Sequence, residues 1–320
     1  MKKQNPVIAT HSGSFHADDV AACAVLAKLF PAATLVRTRN PEFIRRAQFA
    51  VDVGGIWDPV NGRFDHHQKG FVGARSSGVV YASAGLVWAA HGQAYVQAVA
   101  PKLTPLQAAR VASSIDDELM QHLDMADTGA AQGAPGYFGL SAIISAFNTT
   151  RLEDQFATQL LANEPEKLAE DLAQAKYQQF NAAMGVVNTV LERLVAQFVD
   201  EISSEALVRN APTAFDGQVL VLPESGLTWA KVICAEMPDV KFVVYPDLTD
   251  NQYQVRTVPV APESFKARMD LPAAWAGLRD ADLAAVTGVP DAVFCHNARF
   301  IAGAVSKEGA LRMTELALLQ

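Results

Sequence analysis

What most constrains this chain is where its polar residues fall: short β-like runs stop on histidine or aspartate. Pro6-Val-Ile-Ala-Thr10 reads as a buried strand and is followed at once by His11. Ala33-Thr-Leu-Val36 is a second such run, and Phe49-Ala-Val-Asp-Val53, which carries Asp52, is a third that closes on Gly54-Gly55. Arg63 to Asp65 reads as a short strand leading into His66-His67. Between the first two runs, Val20, Cys23, Leu26, Ala27 and Phe30 recur at helical spacing, with Asp18 or Asp19 placed to cap the helix. Strands that alternate with helices predict a largely parallel sheet covered on both faces. Ligands in such sheets sit beyond the carboxyl ends of the strands, which is where these polar residues fall.

The rest of the chain continues as α/β. From Val79 to Phe147 the pattern is mainly helical, and Glu164 to about Val208 is one long amphipathic stretch suited to connecting two halves. Strand-like runs follow at Gln218–Leu222, Val240–Tyr245, Tyr253–Val258 and Ala292–Cys295, then a glycine-containing turn through Gly303 and a helix from about Lys307. The expected organisation is an N-terminal domain over residues 1–200, including the helical connector, and a smaller C-terminal α/β domain over 201–320.

Composition narrows the function classes. The three cysteines (Cys23, Cys234 and Cys295) are scattered without CxxC spacing, which disfavours a disulfide framework and a thiolate zinc site. A reducing cytoplasm is the expected compartment. The start, MKKQNPVIATHSGS, lacks the apolar core of a secretory signal, and no uninterrupted apolar run reaches bilayer-spanning length, so no membrane role is expected. With a net charge of −8, a polyanionic substrate would need a local basic patch or bound cations.

Four clusters carry chemistry. They are His11-Ser-Gly-Ser-Phe-His16-Ala-Asp18-Asp19, Asp52 in Val-Asp-Val-Gly-Gly, Asp65-His66-His67, and Asp116-Asp117 with Asp124 and Asp127. Each alone has a bland explanation: a helix cap, a turn residue, a surface turn, a solvated helix face. Together they hold five of the seven histidines in the chain (His11, His16, His66, His67 and His122). Imidazole and carboxylate together suit Mn²⁺, Fe²⁺ or Co²⁺. Carboxylates converging on one cleft repel each other, and bound cations are the usual remedy. A carboxylate such as Asp52 is suited to bridge two metals that clamp a phosphoryl group.

The order of these motifs resembles the DHH phosphoesterase superfamily, which includes RecJ-type exonucleases and manganese-dependent pyrophosphatases. More specifically, the chain is similar to the MYG family, linked to RNA exonuclease activity. The resemblance rests on Thr10 to Asp19, Val51-Asp-Val-Gly-Gly55, Phe64-Asp-His-His-Gln-Lys69, Tyr81-Ala-Ser-Ala-Gly-Leu-Val87, Trp275-Ala-Gly-Leu-Arg279, Phe300-Ile-Ala-Gly and Lys307-Glu-Gly-Ala-Leu311. It implies a DHH-type catalytic domain holding two divalent cations, Mn²⁺ first with Mg²⁺ or Co²⁺ as substitutes. It further implies His11, His16 and Asp18 as first-motif ligands, Asp52 as the bridge, and His66 and Asp127 at the second metal, with Asp124 the rival for the last place. His67 would contact phosphate or assist the leaving group, with Asp65 orienting the pair. Many superfamily members carry Asp where His16 stands, and Arg299 replaces an expected smaller residue. Substrate contacts from the C-terminal domain would come from Arg256, His296, Arg299 and Lys307, although Arg256 also reads as an edge-strand charge and His296 as a core histidine.

The expected activity is metal-dependent, exonuclease-like hydrolysis of RNA or short oligonucleotides. A phosphatase or pyrophosphatase of a small phosphorylated metabolite is the alternative. A non-catalytic binding module is a third reading, against which the intact ligand positions count. A homodimer is compatible with all three. A basic, aromatic-walled groove would favour a strand, with Arg37, Arg39, Arg45, Arg46, Lys69 and Arg75 as candidate walls.

Overall fold

The computed structural model describes residues 5–130, 139–160, 163–247 and 251–320. Strands and helices alternate through β1 (Val7–Thr10), α1 (Ala17–Leu29), β2 (Thr34–Arg37), α2 (Pro41–Arg46), β3 (Phe49–Val51), β4 (Trp57–Asp58) and β5 (Arg63–Phe64). They form a five-stranded sheet of order β2-β1-β3-β5-β4. Pairings β1–β2, β1–β3 and β3–β5 are parallel, and only β4 runs antiparallel, against β5. Strand β4, two residues long, is too short to leave a periodic signal and is absent from the sequence reading. The apolar runs of β1 and β3 are buried, as strands covered on both faces require.

Helix α1 is enclosed from Ala17 to Leu26, and its alanines permit close packing against α3 (Ser83–Val99). Its cap differs from expectation. His16, in extended conformation, is the N-cap, and Asp19 in the first turn accepts a hydrogen bond from the His16 backbone N–H at 2.8 Å. Asp18 and Asp19 therefore lie inside the helix rather than ahead of it. Helix α4 (Pro105–Ile115) opens on a Thr104–Gln107 capping box and passes through a π-helical turn, Asp116–Met120, into α5 (Gln121–Asp127). Such turns add a residue to the helical repeat and re-aim the side chains beyond. Two shorter helices follow, α6 (Leu140–Ser145) and α7 (Arg151–Leu160). Residues 131–138, part of the stretch read as helical, lie outside the described residues.

Helix α8 (Pro165–Arg209) is the long amphipathic stretch. By length and composition alone one segment of it would cross a membrane, but that segment contains Glu192 and Arg193. Phe180, Met184, Val187, Leu191, Val195 and Phe198, three or four apart, are buried inside the protein together with Ala183. Lys28 of α1 reaches Glu192 at 2.7 Å, and Phe180 meets Phe15 edge to face at 5.3 Å.

The chain forms two compact units, one ending at Phe198 and the other beginning at Val199. The second contains β6 (Thr213–Ala214), β7 (Val219–Val221), α9 (Ala230–Glu236), β8 (Phe242–Asp247), β9 (Gln252–Thr257), α10 (Asp280–Thr287), β10 (Ala292–Cys295), β11 (Ile301–Ala304) and α11 (Lys307–Leu318). Its mixed sheet has the order β10-β11-β9-β8-β7-β6. The turn expected through Gly303 is instead the interior strand β11, paired antiparallel with β9 and β10. Gly303 serves close approach: a Cβ there would stand 2.7 Å from the Phe294 ring. The chain reverses earlier, around Arg299, whose φ is +60°.

If α8 is a core element, Leu191→Ala should cost about 2–5 kcal/mol, the usual range for truncating a buried leucine. Urea unfolding of the two proteins measures it. An unchanged midpoint would mean that this face of α8 is not packed.

Candidate metal centre

Three neighbouring strands deliver the site. His11 follows β1, Asp52 follows β3 and Asp65-His66-His67 follows β5, so adjacent parallel strands end on ligand-type residues at one edge of the sheet. Asp52 occupies the left-handed region at φ +54°, and Gly54 and Gly55 behind it also have positive φ. Aspartate tolerates that conformation better than most residues, at a cost that functional sites commonly bear. The turn brings the Asp52 carboxylate back over the strand ends. Its Oδ2 lies 3.3 Å from His11 Nε2, and its Oδ1 lies 3.4 Å from His66 Nε2 and 3.3 Å from His67 Nδ1.

The first turn of α1 and the end of α5 complete the ring. His16 Nδ1 is 3.6 Å and His66 Nε2 is 3.2 Å from the Asp127 carboxylate. Among the described residues, three groups have ligand-type atoms all within 4.8 Å of one another: His11-His16-Asp52, Asp52-His66-His67 and Asp18-His66-Asp127. Asp52 and His66 each belong to two of them. A further test of fit comes from orphaned atoms. Among the described residues, buried Nε2 of His66 and Oδ2 of Asp19 make no hydrogen bond, although carboxylate or imidazole atoms crowd them at 3.2–3.4 Å. Ligand atoms that face a shared space without bonding each other suit a divalent cation.

Comparison with known proteins places the chain in a family. A family described as an uncharacterised protein family (UPF0160), MYG1_exonuc, matches residues 7–318. The MYG1 exonuclease of Rattus norvegicus is 32% identical over 98% of this chain and 85% of its own length. That of Homo sapiens is 32% identical over 98% of this chain and 86% of its own. The chain belongs to the MYG1 exonuclease family. A Caenorhabditis elegans member, MYG1 protein C27H6.8, is 30% identical over 98% of this chain and 95% of its own. Among solved structures, RecJ from Thermus thermophilus in complex with Mn²⁺ is 18% identical. This chain spans about half its length (53%), with a TM-score of 0.27, a superposition too loose to support any argument.

This MYG1 family member buries several carboxylates together. Burial, then the charges of Asp52, Asp127 and Asp124, push Asp18 well above the ordinary carboxylate range. Burial also raises Asp19 and Asp124, each to about 6. Two devices offset the charge. The N-terminus of α3 donates Ser83 and Ala84 N–H groups to Asp18, at 3.1 and 2.6 Å, and the Gly85 N–H to Asp124 at 2.9 Å. Arg75 bonds both Asp116 and Asp124 at 2.7 Å while lying over the Tyr81 ring. Gly85 is required here, since a Cβ would fall on the Asp124 carboxylate. Asp52 moves the other way. Burial alone would raise it, but the facing imidazoles of His11, His66 and His67 hold it well below the usual range. Burial depresses His66, yet Asp127 and Asp52 outweigh it and lift the imidazole to about 10. His11 is raised by the same contest, burial against Asp52 and Asp19.

Several expectations change. Asp124, which its acidic neighbours place on a solvated face, is fully enclosed and committed to Arg75 and α3; Asp127 is left as the α5 carboxylate among the ligand groups. Adjacent residues on an extended segment point apart, but the chain is not a strand at His66 and His67, and their ring centroids lie 4.2 Å from each other. Asp65 turns His67 inward by accepting from its backbone N–H at 3.0 Å and facing its Nδ1 at 2.9 Å. Arg75 is a buried structural cation, whereas Arg37 bonds Gly13 O at 2.8 Å, stacks on Phe15 and Phe180, and lines a separate cavity of about 820 Å³ with Ser12, Gly13 and Tyr177. Arg45 and Arg46 pair with Glu42, and Lys69 is exposed. Sequence reasoning gives no metal role to Asp19 and none to Ser83, whose hydroxyl is 3.3 Å from Asp52 Oδ1. The signal for Ser83 is the small-residue run Ala82-Ser-Ala-Gly85 that opens an apolar helix.

In the second unit, Arg256 lies on the interior strand β9, not an edge, and its exposed guanidinium stands over Phe300. His296 is exposed rather than core, and its ring stacks on Phe300 at 4.6 Å. Arg299 is ion-paired with Asp270 at 2.9 Å. Lys307 is exposed, and the N-terminus of α11 already holds an anion: the Ser306 N–H donates to Asp291 at 2.8 Å.

These shifts predict a pH-dependent stability for protein stripped of metal. Asp19 and Asp124 contribute stability that is complete below their ordinary pKa of 3.8 and lost as pH rises through about 6. His66 contributes stability complete below 6.5 and lost through about 10. Asp52 acts oppositely, losing its contribution only in acid. From pH 5 to 9 the chelator-treated protein should therefore fall in Tm. The increment added by saturating Mn²⁺ should grow over the same range, because a cation replaces those protons. A Mn²⁺ increment that shrinks with rising pH contradicts this account.

Proposed function

We propose that this chain is a divalent-metal-dependent phosphodiesterase that hydrolyses RNA or short oligonucleotides from an end. His11, His16, Asp18, Asp52, His66 and Asp127 would hold two cations, Mn²⁺ first and Mg²⁺ or Co²⁺ as substitutes. The observation that carries this reading is Asp52, whose two oxygens face imidazoles from different sides and which belongs to two ligand groups. Cations held there would supply an attacking hydroxide at neutral pH and neutralise the charge that builds on phosphorus. The names of the rat and human relatives support nuclease chemistry.

The protein's own groups do the rest. His67 is 62% exposed at the wall of a cleft of about 790 Å³ that also contains His11, Asp52, Asp65 and Asp127. With Nδ1 held by Asp65, the opposite ring edge is left for a phosphate or leaving oxygen. Ser83 and the α3 N-terminus keep Asp52 and Asp18 in place. Arg256, His296 and Arg299 remain candidates for substrate contacts from the second unit. The alternative, a phosphatase of a small phosphorylated metabolite, uses the same residues and draws on a cleft wall without Phe, Tyr or Trp.

A panel of oligonucleotides, dinucleotides and pyrophosphate with Mn²⁺ separates the two readings. Asp52→Asn should abolish turnover in a protein that still folds, at a lowered Tm because the charged contacts to His11 and His66 are lost, whereas a mere turn residue would leave turnover intact. His66→Ala should lose metal and recover partly in excess Mn²⁺. His67→Ala should keep metal stoichiometry while kcat drops about 10²–10⁴-fold. Equal loss of metal in both histidine variants would refute the division of roles.

A further inference from the structure

Arg39 sits just past the carboxyl end of β2, in the wall of the cleft that holds Asp52, Asp65, His67 and Asp127. Among the described residues it is the one arginine or lysine in that wall, and it is exposed. Other arginines around it have an occupation. Arg37 holds Gly13 O, Arg45 is paired with Glu42, and Arg63 donates to the carbonyls of Arg45 and Ala47 at 3.2 and 3.0 Å. Arg39 makes no hydrogen bond or ion pair among the described residues, despite the carboxylates in the same cleft. Its backbone is nevertheless fixed. The Thr38 N–H donates to Thr10 O at 2.7 Å, extending the β1–β2 pairing, and Asn40 caps α2 by accepting from the Glu42 N–H at 2.9 Å. A free guanidinium on a fixed platform beside a phosphoryl site is placed for a phosphate.

The same residue joins two spaces. Arg39, Val53 and Gly54 line both the metal cleft and a neighbouring cavity of about 620 Å³. That cavity has apolar walls from Pro41, Ile44 and Ile56, with Arg45 and Arg63 at its margin and Glu42 as its acid. Ile56 is 53% exposed there. A phosphorylated metabolite bound at the metal cleft has no use for a second space across an arginine. A chain of nucleotides does: its next phosphate meets the cation and its next nucleoside covers the apolar wall.

Resting on the phosphodiesterase reading, we infer that Arg39 binds the phosphate adjacent to the scissile one, and that the Pro41–Ile44–Ile56 cavity receives the neighbouring nucleoside of a single strand. The site then selects substrates of at least two linked nucleotides over mononucleotides and pyrophosphate.

Binding and turnover are measured separately. Fluorescence anisotropy with a labelled RNA pentanucleotide, in Ca²⁺ to suppress cleavage, compares wild type with Arg39→Ala and Ile56→Glu over a range of salt. Both substitutions are at exposed side chains, and Tm confirms folding. The expected result is at least fivefold weaker binding by each variant, and for Arg39→Ala a log–log salt slope shallower by about 0.7, the value of one lost phosphate contact to a single strand. Hydrolysis of bis(4-nitrophenyl) phosphate, which is too small to reach the second cavity, should fall much less than pentanucleotide hydrolysis in each variant, while KM for the pentanucleotide rises at least fivefold; an equal loss on both substrates overturns the second-cavity assignment. Equal pentanucleotide affinity in wild type and Arg39→Ala, or no binding by wild type, overturns the inference. If wild type binds and Arg39→Ala does not, but neither cleaves any phosphodiester with Mn²⁺, the catalytic reading falls while the strand site stands.

Discussion

The structure depends on the burial of like charges. Asp18, Asp19, Asp52 and Asp124 are withdrawn from water within one corner of the first unit, and Asp127 stands beside them. An isolated buried carboxylate is costly, and several together are worse, because each raises the next. The fold answers with everything at hand. It aims the N-terminus of α3 at two of them, threads Arg75 between Asp116 and Asp124, and sets His11 and His66 against Asp52. The compensation is uneven. Asp124 is satisfied on the protein's own terms. Asp19 and His66 keep buried atoms without hydrogen bonds. Of the two, His66 belongs to the ligand groups, and its unbonded atom is one that a cation would satisfy.

The same corner explains why the neighbouring elements look as they do. Gly85 is bare because Asp124 occupies the space of its side chain. Asp52 is held in a left-handed conformation so that one carboxylate can address two sides of the cleft. The π-helical turn ahead of α5 sets the phase in which Asp124 points inward to α3 while Asp127 faces His16 and His66. Histidine matters as much as aspartate here. The imidazoles lower Asp52 and are raised by it, so the centre is a set of coupled protons that a divalent cation would displace together.

Much of this is legible in the sequence, for identifiable reasons. Runs such as Val7–Thr10 and Phe49–Val51 are apolar on both faces and end on ligand-type residues, so strand, parallel sheet and site edge follow from one pattern. Helix α8 is legible from its three-and-four spacing. Sequence reasoning fails where a residue type has two uses. Glycine punctuates turns, so Gly303 suggests one, but it sits inside a strand against Phe294. Charges are usually solvated, so Arg75 and Asp124 suggest surface, but they satisfy each other in the interior.

The sequence by itself determined which chemistry is available: imidazoles and carboxylates without thiolates, at strand ends, in a family-specific order. Local spacing is enough for that, since a strand end or a helix face is fixed by a few neighbouring residues. Only the tertiary structure decided which of those groups meet. His11, Asp52, His66 and Asp127 come from separate elements, and their convergence depends on strand order, on the Asp52 turn and on the phase of α5. The same holds for Arg37, Arg39 and Arg75. As letters they are equivalent cations, yet packing assigns one to an aromatic stack, one to a buried ion pair, and leaves Arg39 free at the cleft.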